Sequence, residues 1–151
     1  MAVGAVAALL QAVGCWAAST PGVRAVALVG SHAAGRACPD SDVDLVVLAD
    51  DPAGLLAERG WLEGFGALAS LAVEDWGAVN SLRARYRAGL EVEWGLALPS
   101  WAAAGPLDAG TARVVGGGLV AVYDPEGLLA RLVAAVARLG AAEGPAPPAL
   151  P

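Results

Sequence analysis

Two short apolar runs constrain this chain more than any other feature of its sequence. Residues 23–29 read VRAVALV, and residues 43–48 read VDLVVL. Their β-branched residues and lack of polar alternation favour strands that are covered on both faces. The segment 2–17 before them carries no charged side chain and is mostly Ala, Gly, Val and Leu, which favours a buried helix. The runs therefore predict a buried sheet within an α/β domain.

Turn residues separate further predicted elements in the middle of the chain. Pro52 lies near the start of a predicted helix over residues 53–59. Two extended runs, about 78–87 and 90–98, predict a β-hairpin that turns at Ala88-Gly89. Residues 61–76 show no regular period, and we expect three aromatic side chains there to anchor the core: Trp61, Phe65 and Trp76.

The last third of the chain predicts a second hairpin and a helix. ARVV and LVAVY flank Gly116-Gly117-Gly118, which is typical of a hairpin. Pro125 begins a predicted helix that runs to about Leu139, with Leu and Val at helical spacing. Residues 141–151 are rich in proline, and we expect a disordered tail. The order of elements predicts one α/β domain over residues 1–140, with a mixed β-sheet and helices packed on it.

Charge limits the class of partner. The net charge is −6, and every basic residue is an arginine. A protein that holds long nucleic acid needs clustered positive charge, so we expect no such partner. No basic residue precedes the apolar N-terminal segment, which argues against a signal peptide or membrane partner and favours a cytoplasmic location. An acidic domain can still bind a phosphorylated ligand if a metal supplies the missing cation.

The segment LVGSHAAGRACPDSDVDLVVL, residues 28–48, carries the candidate chemistry. Gly30 allows backbone N–H groups to approach an anion closely, and Ser31 adds a hydroxyl donor. Asp42 and Asp44 stand two positions apart at the start of a strand, so their side chains share one face. Two adjacent carboxylates repel each other unless a cation lies between them, and hard oxygen ligands suit Mg²⁺.

A third carboxylate is expected from the first hairpin. In GLEVEWGLAL, Glu91 and Glu93 share one face of a strand, and either would complete a metal site for attack on a phosphoryl group. The opposing strand carries Arg83, Arg85 and Arg87 at alternate positions. Two interpretations are open for them: cross-strand ion pairing with the glutamates, or contact with a phosphate or an anionic acceptor.

Other residues near these motifs also have two interpretations. His32 and Arg36 follow the Gly-Ser turn and face either a bound phosphate group or solvent. Trp94 belongs either to the core or to a surface that stacks on a base.

Gly30-Ser31 followed by Ser41-Asp42-Val43-Asp44 resembles the G-S…D-x-D signature of the DNA polymerase β-like nucleotidyltransferase superfamily. The resemblance is strongest over residues 23–98 and points to the small-molecule branch, which includes the aminoglycoside nucleotidyltransferases, and to the minimal nucleotidyltransferases. It implies the nucleotidyltransferase fold. It also implies metal-dependent transfer of a nucleoside monophosphate from a nucleoside triphosphate, here taken as ATP, to a hydroxyl or amino acceptor, with release of pyrophosphate. A small molecule is the expected acceptor.

The resemblance also implies roles for individual residues. Asp42, Asp44 and Glu93 would be catalytic and would bind Mg²⁺ or Mn²⁺. The family more often has Asp in the position of Glu93, and Glu91 is the alternative third ligand. The implied nucleotide-binding residues are Gly30, Ser31, Arg36 and Ser41.

A difference in size leaves alternatives for the acceptor. Aminoglycoside-modifying relatives enclose their acceptor with a helical C-terminal domain, for which these 151 residues leave no room. We therefore expect a second copy in a homodimer, or a partner protein, to complete the acceptor pocket. Two other functions stay open: an antitoxin-like minimal nucleotidyltransferase that binds and modifies a partner protein, and a degenerate domain that only binds nucleotide.

Overall fold

The computed structural model describes residues 2–38, 40–75, 79–105 and 107–143. Its strands are β1 (Val23–Val29), β2 (Val43–Ala49), β3 (Leu68–Asp75), β4 (Asn80–Tyr86), β5 (Glu91–Ala97) and β6 (Leu119–Tyr123). Its helices are α1 (Ala2–Ala18), α2 (Gly30–Ala34), α3 (Pro52–Ala57), α4 (Ala109–Gly116) and α5 (Leu128–Glu143). Two 3₁₀ segments lie at Gly60–Phe65 and Pro99–Ala102. Within these described ranges, no helix has both the length and the apolar character needed to cross a membrane.

The six strands form one mixed sheet in the order β3-β4-β5-β2-β1-β6. β2 lies in the middle, antiparallel to β1 and parallel to β5, and the other three pairings are antiparallel. The sequence prediction of an α/β fold with a mixed sheet and helices packed on it is thus confirmed.

Helices cover both faces of the sheet, which explains why β1 and β2 are apolar along nearly their whole length. On the first face, α1 and the 3₁₀ segment Gly60–Phe65 pack over residues such as Leu45 and Trp94. On the second face, α4, α5 and the 3₁₀ segment Pro99–Ala102 pack over Val46 and Leu48. Asp44 precedes Val46 by two positions, so its side chain lies on the second face at the start of β2.

The predicted helix 2–17, the two apolar strands and the first hairpin are confirmed, and α3 begins one residue earlier than expected. The expectation of irregular structure over residues 61–76 was wrong. β3 pairs along its length with β4 as an edge strand, and its side chains are exposed or half-buried, without the alternation that marks a strand in a sequence. Trp61 and Phe65 pack against the first core as expected, whereas Trp76 lies outside the described residues.

The predicted hairpin around Gly116–Gly118 was also wrong. ARVV lies in α4, which begins after Asp108, whose carboxylate accepts a hydrogen bond from the Thr111 N–H at 2.9 Å. A four-residue apolar run fits a strand or a helix equally well, and the cap at Asp108 favours the helix. β6 instead pairs with β1 at the far edge of the sheet.

The last helix begins later than Pro125. Asp124 accepts hydrogen bonds from the N–H groups of Leu129 and Ala130, and Gly127 has a φ of +76°, so a turn separates Pro125 from α5. α5 extends to Glu143. The rest of the predicted tail, residues 144–151, lies outside the described residues, and the boundary of the domain stays a prediction.

Candidate active site

Gly30 joins the end of β1 to α2 at a point where only glycine fits. Its φ of +75° lies in the left-handed region, and a Cβ at this position would collide with the carboxylate of Asp44. The Gly-Ser turn and the second aspartate of the DxD motif are therefore in direct contact. The sequence prediction that these two motifs lie together is confirmed by this geometry.

Asp44, Glu93 and Arg83 form a row across three adjacent strands. Asp44 on β2 pairs in register with Glu93 on the parallel strand β5. Glu93 in turn pairs with Arg83 on the antiparallel strand β4. Directly paired residues project their side chains to the same face of a sheet, so two carboxyl groups and one guanidinium lie side by side.

The electrostatic surroundings of Asp44 are unfavourable for a carboxylate. Burial, followed by the negative charges of Glu93 and Asp42, raises the pKa of Asp44 to about 6, and the positive charge of Arg83 acts in the opposite direction. A hydrogen bond between the carboxyl groups of Asp44 and Glu93 adds to the rise in pKa, because it requires a proton on one of them. The site thus concentrates negative charge that lacks a full counter-charge.

Arg83 provides most of the counter-charge that is present. Its Nη1 lies 2.7 Å from Asp42 Oδ2 and 2.9 Å from Glu91 Oε2, and its Nη2 lies 2.9 Å from Glu93 Oε1. Its Nε lies 3.4 Å from Glu74 Oε2, a contact with β3 that the sequence did not suggest. The hydrogen bonds to Asp42 and then to Glu91 raise the pKa of Arg83 above its ordinary value.

Cross-strand ion pairing is therefore confirmed for two of the three arginines. Arg85, with 64% of its side chain exposed, pairs with Glu91 at 3.2 Å. Arg87 lies beyond β4 and donates from Nε to the Leu68 carbonyl oxygen.

A cavity of about 600 Å³ opens beside Asp44 on the second face of the sheet. Gly30, Ser31 and Arg36, from α2 and the loop after it, line the cavity together with Asp44 and Glu93 of the sheet. The remaining wall comes from β4, β5, the second 3₁₀ segment and α4, and it includes Val79, Ser81, Gly95, Trp101, Asp108, Thr111 and Val114. The lining of this one cavity is therefore largely apolar, and the carboxyl groups of Asp44 and Glu93 form a polar part of it.

Glycine at position 95 keeps the floor of this pocket open. A Cβ there would lie 3.1 Å from the Val79 side chain and 3.4 Å from the Leu45 carbonyl oxygen. Gly95 interrupts a strand without any turn motif around it, so this role was not predicted from the sequence.

Ser41 has structural contacts in the loop between α2 and β2. The hydroxyl of Ser41 accepts a hydrogen bond from the Cys38 N–H at 2.8 Å, and the Ser41 carbonyl oxygen lies 3.4 Å from His32 Nε2. Of the described residues, Arg36 lines the cavity and Ser41 does not. The nucleotide-binding role of Ser41 stays a prediction, and these contacts give the residue a part in shaping the loop before Asp42.

Trp94 does not face the cavity. It is fully buried on the first face, with its ring centroid 5.0 Å from those of Trp61 and Phe65, so the base-stacking interpretation is wrong. The aromatic side chain in the cavity wall is Trp101. No motif in the sequence singles out Trp101, and only the structure brings it to the cavity that Asp44 also lines.

The donors at the site fit a divalent cation in chemical kind. Asp42, Asp44 and Glu93 offer hard carboxylate oxygens, and the raised pKa of Asp44 shows that a cation would relieve repulsion there. The positions of these carboxylates in the structure, however, do not form a complete metal site. Across the ranges that the structure describes, no group of three or more His, Cys, Asp or Glu side chains is positioned to hold a metal, and Arg83 lies against Asp42 and Glu93.

Comparison with known proteins identifies the family. A family model described as a nucleotidyltransferase domain matches residues 15–99, which is more than half of the chain. The fold is similar to a crystal structure of an aminoglycoside 6-adenyltransferase from Bacillus subtilis, with a TM-score of 0.51 and 17% sequence identity. The similarity covers 62% of this chain but only 35% of the adenyltransferase chain. No curated protein sequence matches at a significant level. The chain belongs to the nucleotidyltransferase domain family, within the DNA polymerase β-like superfamily.

Proposed function

We propose that this nucleotidyltransferase moves a nucleoside monophosphate from ATP to a hydroxyl or amino group of a small molecule, in a reaction that depends on Mg²⁺ or Mn²⁺ and releases pyrophosphate. One observation carries the proposal: Asp44 and Glu93 are paired on adjacent strands beside the Gly30-Ser31 turn, at the sheet end of a cavity. The size of the cavity, about 600 Å³, lies within the range that small-ligand sites commonly have.

The Gly30-Ser31 turn would hold the phosphate groups of the nucleotide. Gly30 has no side chain to block the backbone, and the Ser31 hydroxyl lines the same cavity. Arg36 lines it as well and has an exposed side chain that can pair with phosphate oxygens. These three residues supply donors and one positive charge beside the carboxyl groups.

Carboxylates alone would repel a triphosphate, so the proposal requires a cation. Asp42, Asp44 and Glu93 would hold it, and it would supply positive charge to the phosphoryl group under attack. Glu93 would in addition accept the proton of the attacking hydroxyl, because its carboxylate lies beside Asp44 at the sheet. Trp101 and Val114 would border the base of the nucleotide, since they supply apolar side chains to the lining of the cavity.

The family and fold support transfer of a nucleotide, and the acceptor is a separate proposal. The aminoglycoside 6-adenyltransferase shares only the fold, so an aminoglycoside-like acceptor with several hydroxyl and amino groups is a first choice for testing. The expectations that a homodimer or partner protein completes the acceptor pocket, and that the protein is cytoplasmic, stay predictions.

Isothermal titration of ATP with Mg²⁺ tests the site. We expect binding by the wild type and its loss in the Asp42→Ala/Asp44→Ala variant. Asp40→Ala/Glu58→Ala is a matched control, because it removes two exposed carboxylates outside the site and should bind as the wild type does. Equal binding by the wild type and the site variant would refute the assigned site.

Incubation with labelled ATP, Mg²⁺ and a panel of aminoglycosides tests the reaction. Label on a small molecule, with release of pyrophosphate, supports the proposal. Label on a copurifying protein would instead favour the antitoxin-like alternative. Nucleotide binding without release of pyrophosphate would favour a binding-only domain.

A further inference from the structure

Arg83 lies where the carboxyl groups of the site require positive charge. Its side chain is 29% exposed, and its guanidinium contacts Asp42, Glu91 and Glu93 within 2.9 Å. Asp42 and Glu93 are two of the three residues proposed to hold the metal. A single guanidinium therefore bridges a pair of carboxylates that a divalent cation would also need.

The geometry also offers Arg83 another position. Glu74 on β3 contacts the Arg83 Nε with one oxygen, at 3.4 Å. Its second oxygen, Oε1, is buried and has no hydrogen-bond partner among the described residues. A buried carboxylate oxygen without a hydrogen-bond donor is unfavourable. A further hydrogen bond from the Arg83 guanidinium to Glu74 Oε1 would therefore be stabilising.

We propose that Arg83 is a resident cation that competes with the divalent metal for Asp42 and Glu93, and that the metal site forms when its guanidinium moves toward Glu74. This inference rests on the proposed function, since it takes the metal ligands from it. Without metal, Arg83 reduces the repulsion among the carboxylates and holds the hairpin in register. In the presence of metal, Arg83 retains Glu74 and Glu91 as partners.

The physical basis of the competition is the repulsion between two cations. A guanidinium in contact with Asp42 and Glu93 would lie close to a divalent ion on the same oxygens, so both cannot occupy the site at once. The metal must displace two partly exposed ion pairs, and each contributes a modest free energy. Arg83 should therefore weaken metal binding without abolishing it.

Titration of Mn²⁺ without nucleotide, with free Mn²⁺ followed by electron paramagnetic resonance, tests this inference. We expect Arg83→Gln to bind Mn²⁺ about tenfold more tightly than the wild type, since the competing charge is removed. Arg83→Lys, which keeps the charge, should stay near the wild-type affinity. Arg85→Gln is the matched control, because Arg85 lies on the same strand but pairs with Glu91 at an exposed position, and it should bind as the wild type does.

A purely structural role for Arg83 predicts a different result. In that case Arg83→Gln would lose stability while its Mn²⁺ affinity stayed equal to or below that of the wild type, and this outcome would overturn the inference. Absence of Mn²⁺ binding in both proteins would overturn it as well. If Arg83→Gln does not fold, the double variant Arg83→Gln/Glu74→Gln is the test, since it removes one charge of each sign and keeps Asp42, Asp44 and Glu93. It should also bind Mn²⁺ more tightly than the wild type. Unchanged affinity of the double variant would overturn the inference.

The two proposals can fail separately. Transfer of a nucleotide by the wild type, together with equal Mn²⁺ affinity in Arg83→Gln, would remove the competition and leave the function intact. Tighter Mn²⁺ binding by Arg83→Gln, with no nucleotide binding by any protein, would support the competition and remove the function.

Discussion

Asp44 on β2 and Glu93 on β5 occupy paired positions of two parallel strands, so their carboxyl groups share one side of the sheet. Burial, together with the repulsion between the two groups, raises the pKa of Asp44 to about 6. Such crowding is unfavourable in the isolated protein and becomes favourable when a cation binds. Four predictions follow from this pair and its neighbours.

The stability of the metal-free protein should fall with pH because of Asp44. Its pKa is about 6 in the folded state and near 3.8 in the unfolded state, so the folded state holds the extra proton between these values. Stability from this group is therefore full below about pH 4 and is lost as the pH rises through 6. Since the group is only partly buried, we expect a loss of about 1–2 kcal/mol in the free energy of unfolding.

Urea unfolding in the presence of a chelator, at pH 4 to 8, measures this effect. Other carboxylates titrate in the same range, so the informative quantity is the difference between the wild type and Asp44→Asn. That difference should change by the stated amount in favour of the variant as the pH rises. A difference that is independent of pH would contradict the prediction.

Gly30→Ala should disturb both folding and the site. The new Cβ would be strained at a φ of +75° and would collide with the Asp44 carboxylate. We expect a loss of about 2–3 kcal/mol of unfolding free energy and the loss of ATP binding. Gly35→Ala is a matched control: its φ of +73° gives the same backbone strain, but nothing lies within 4 Å of the added Cβ. The control should lose only about 1 kcal/mol, and equal losses in both variants would exclude a role for the Asp44 contact.

Substitution of the two glutamates of β5 should separate their roles. Glu93→Gln removes the carboxylate that pairs with Asp44, and we expect it to lower kcat for nucleotide transfer by about 100-fold or more. Glu91→Gln removes another partner of Arg83 but leaves the Asp44–Glu93 pair intact, so it should keep most of the activity. The reverse order of activities would assign the third carboxylate to Glu91.

Trp101→Ala should weaken ATP binding, since Trp101 forms part of the apolar wall of the cavity. Loss of one stacking contact corresponds to about 1–3 kcal/mol, or roughly a fivefold to 150-fold increase in Kd. Trp101→Phe should bind more nearly as the wild type does. Leu98→Ala serves as a control at a neighbouring exposed position that is 52% accessible to solvent. Equal affinity of Trp101→Ala and the wild type would place the base elsewhere.

The sequence predicted the centre of the fold better than its edges. β1 and β2 were evident because strands covered on both faces are apolar along their length. β3 was not, since an edge strand is held mainly by backbone hydrogen bonds to β4, which leave little trace in its side chains. α4 was misassigned because four apolar residues do not distinguish a helix from a strand.

In the candidate site, too, local features were predicted from the sequence and contacts between distant segments were not. The spacing of Asp42 and Asp44, and the match of Arg83 and Arg85 to Glu91 across the hairpin, followed from periodicity and pairing within short segments. The contact of Glu74 with Arg83 and the place of Trp101 in the cavity did not. Both depend on elements, the edge strand β3 and the 3₁₀ segment Pro99–Ala102, whose positions in the fold are not encoded locally.

The sequence by itself determined which residues are candidates for the chemistry, because the Gly-Ser turn and the paired aspartates are local patterns with local physical causes. Only the tertiary structure decided how their charges are balanced. The parallel pairing of β2 with β5, which are separated by more than 40 residues, brings Glu93 to Asp44, and the hairpin then brings Arg83 to Glu93. Electrostatic interactions depend on distance in space and not along the chain, so the contacts of Arg83 with Asp42 and Glu74, unlike its cross-strand pairing with the glutamates, are visible only in the fold.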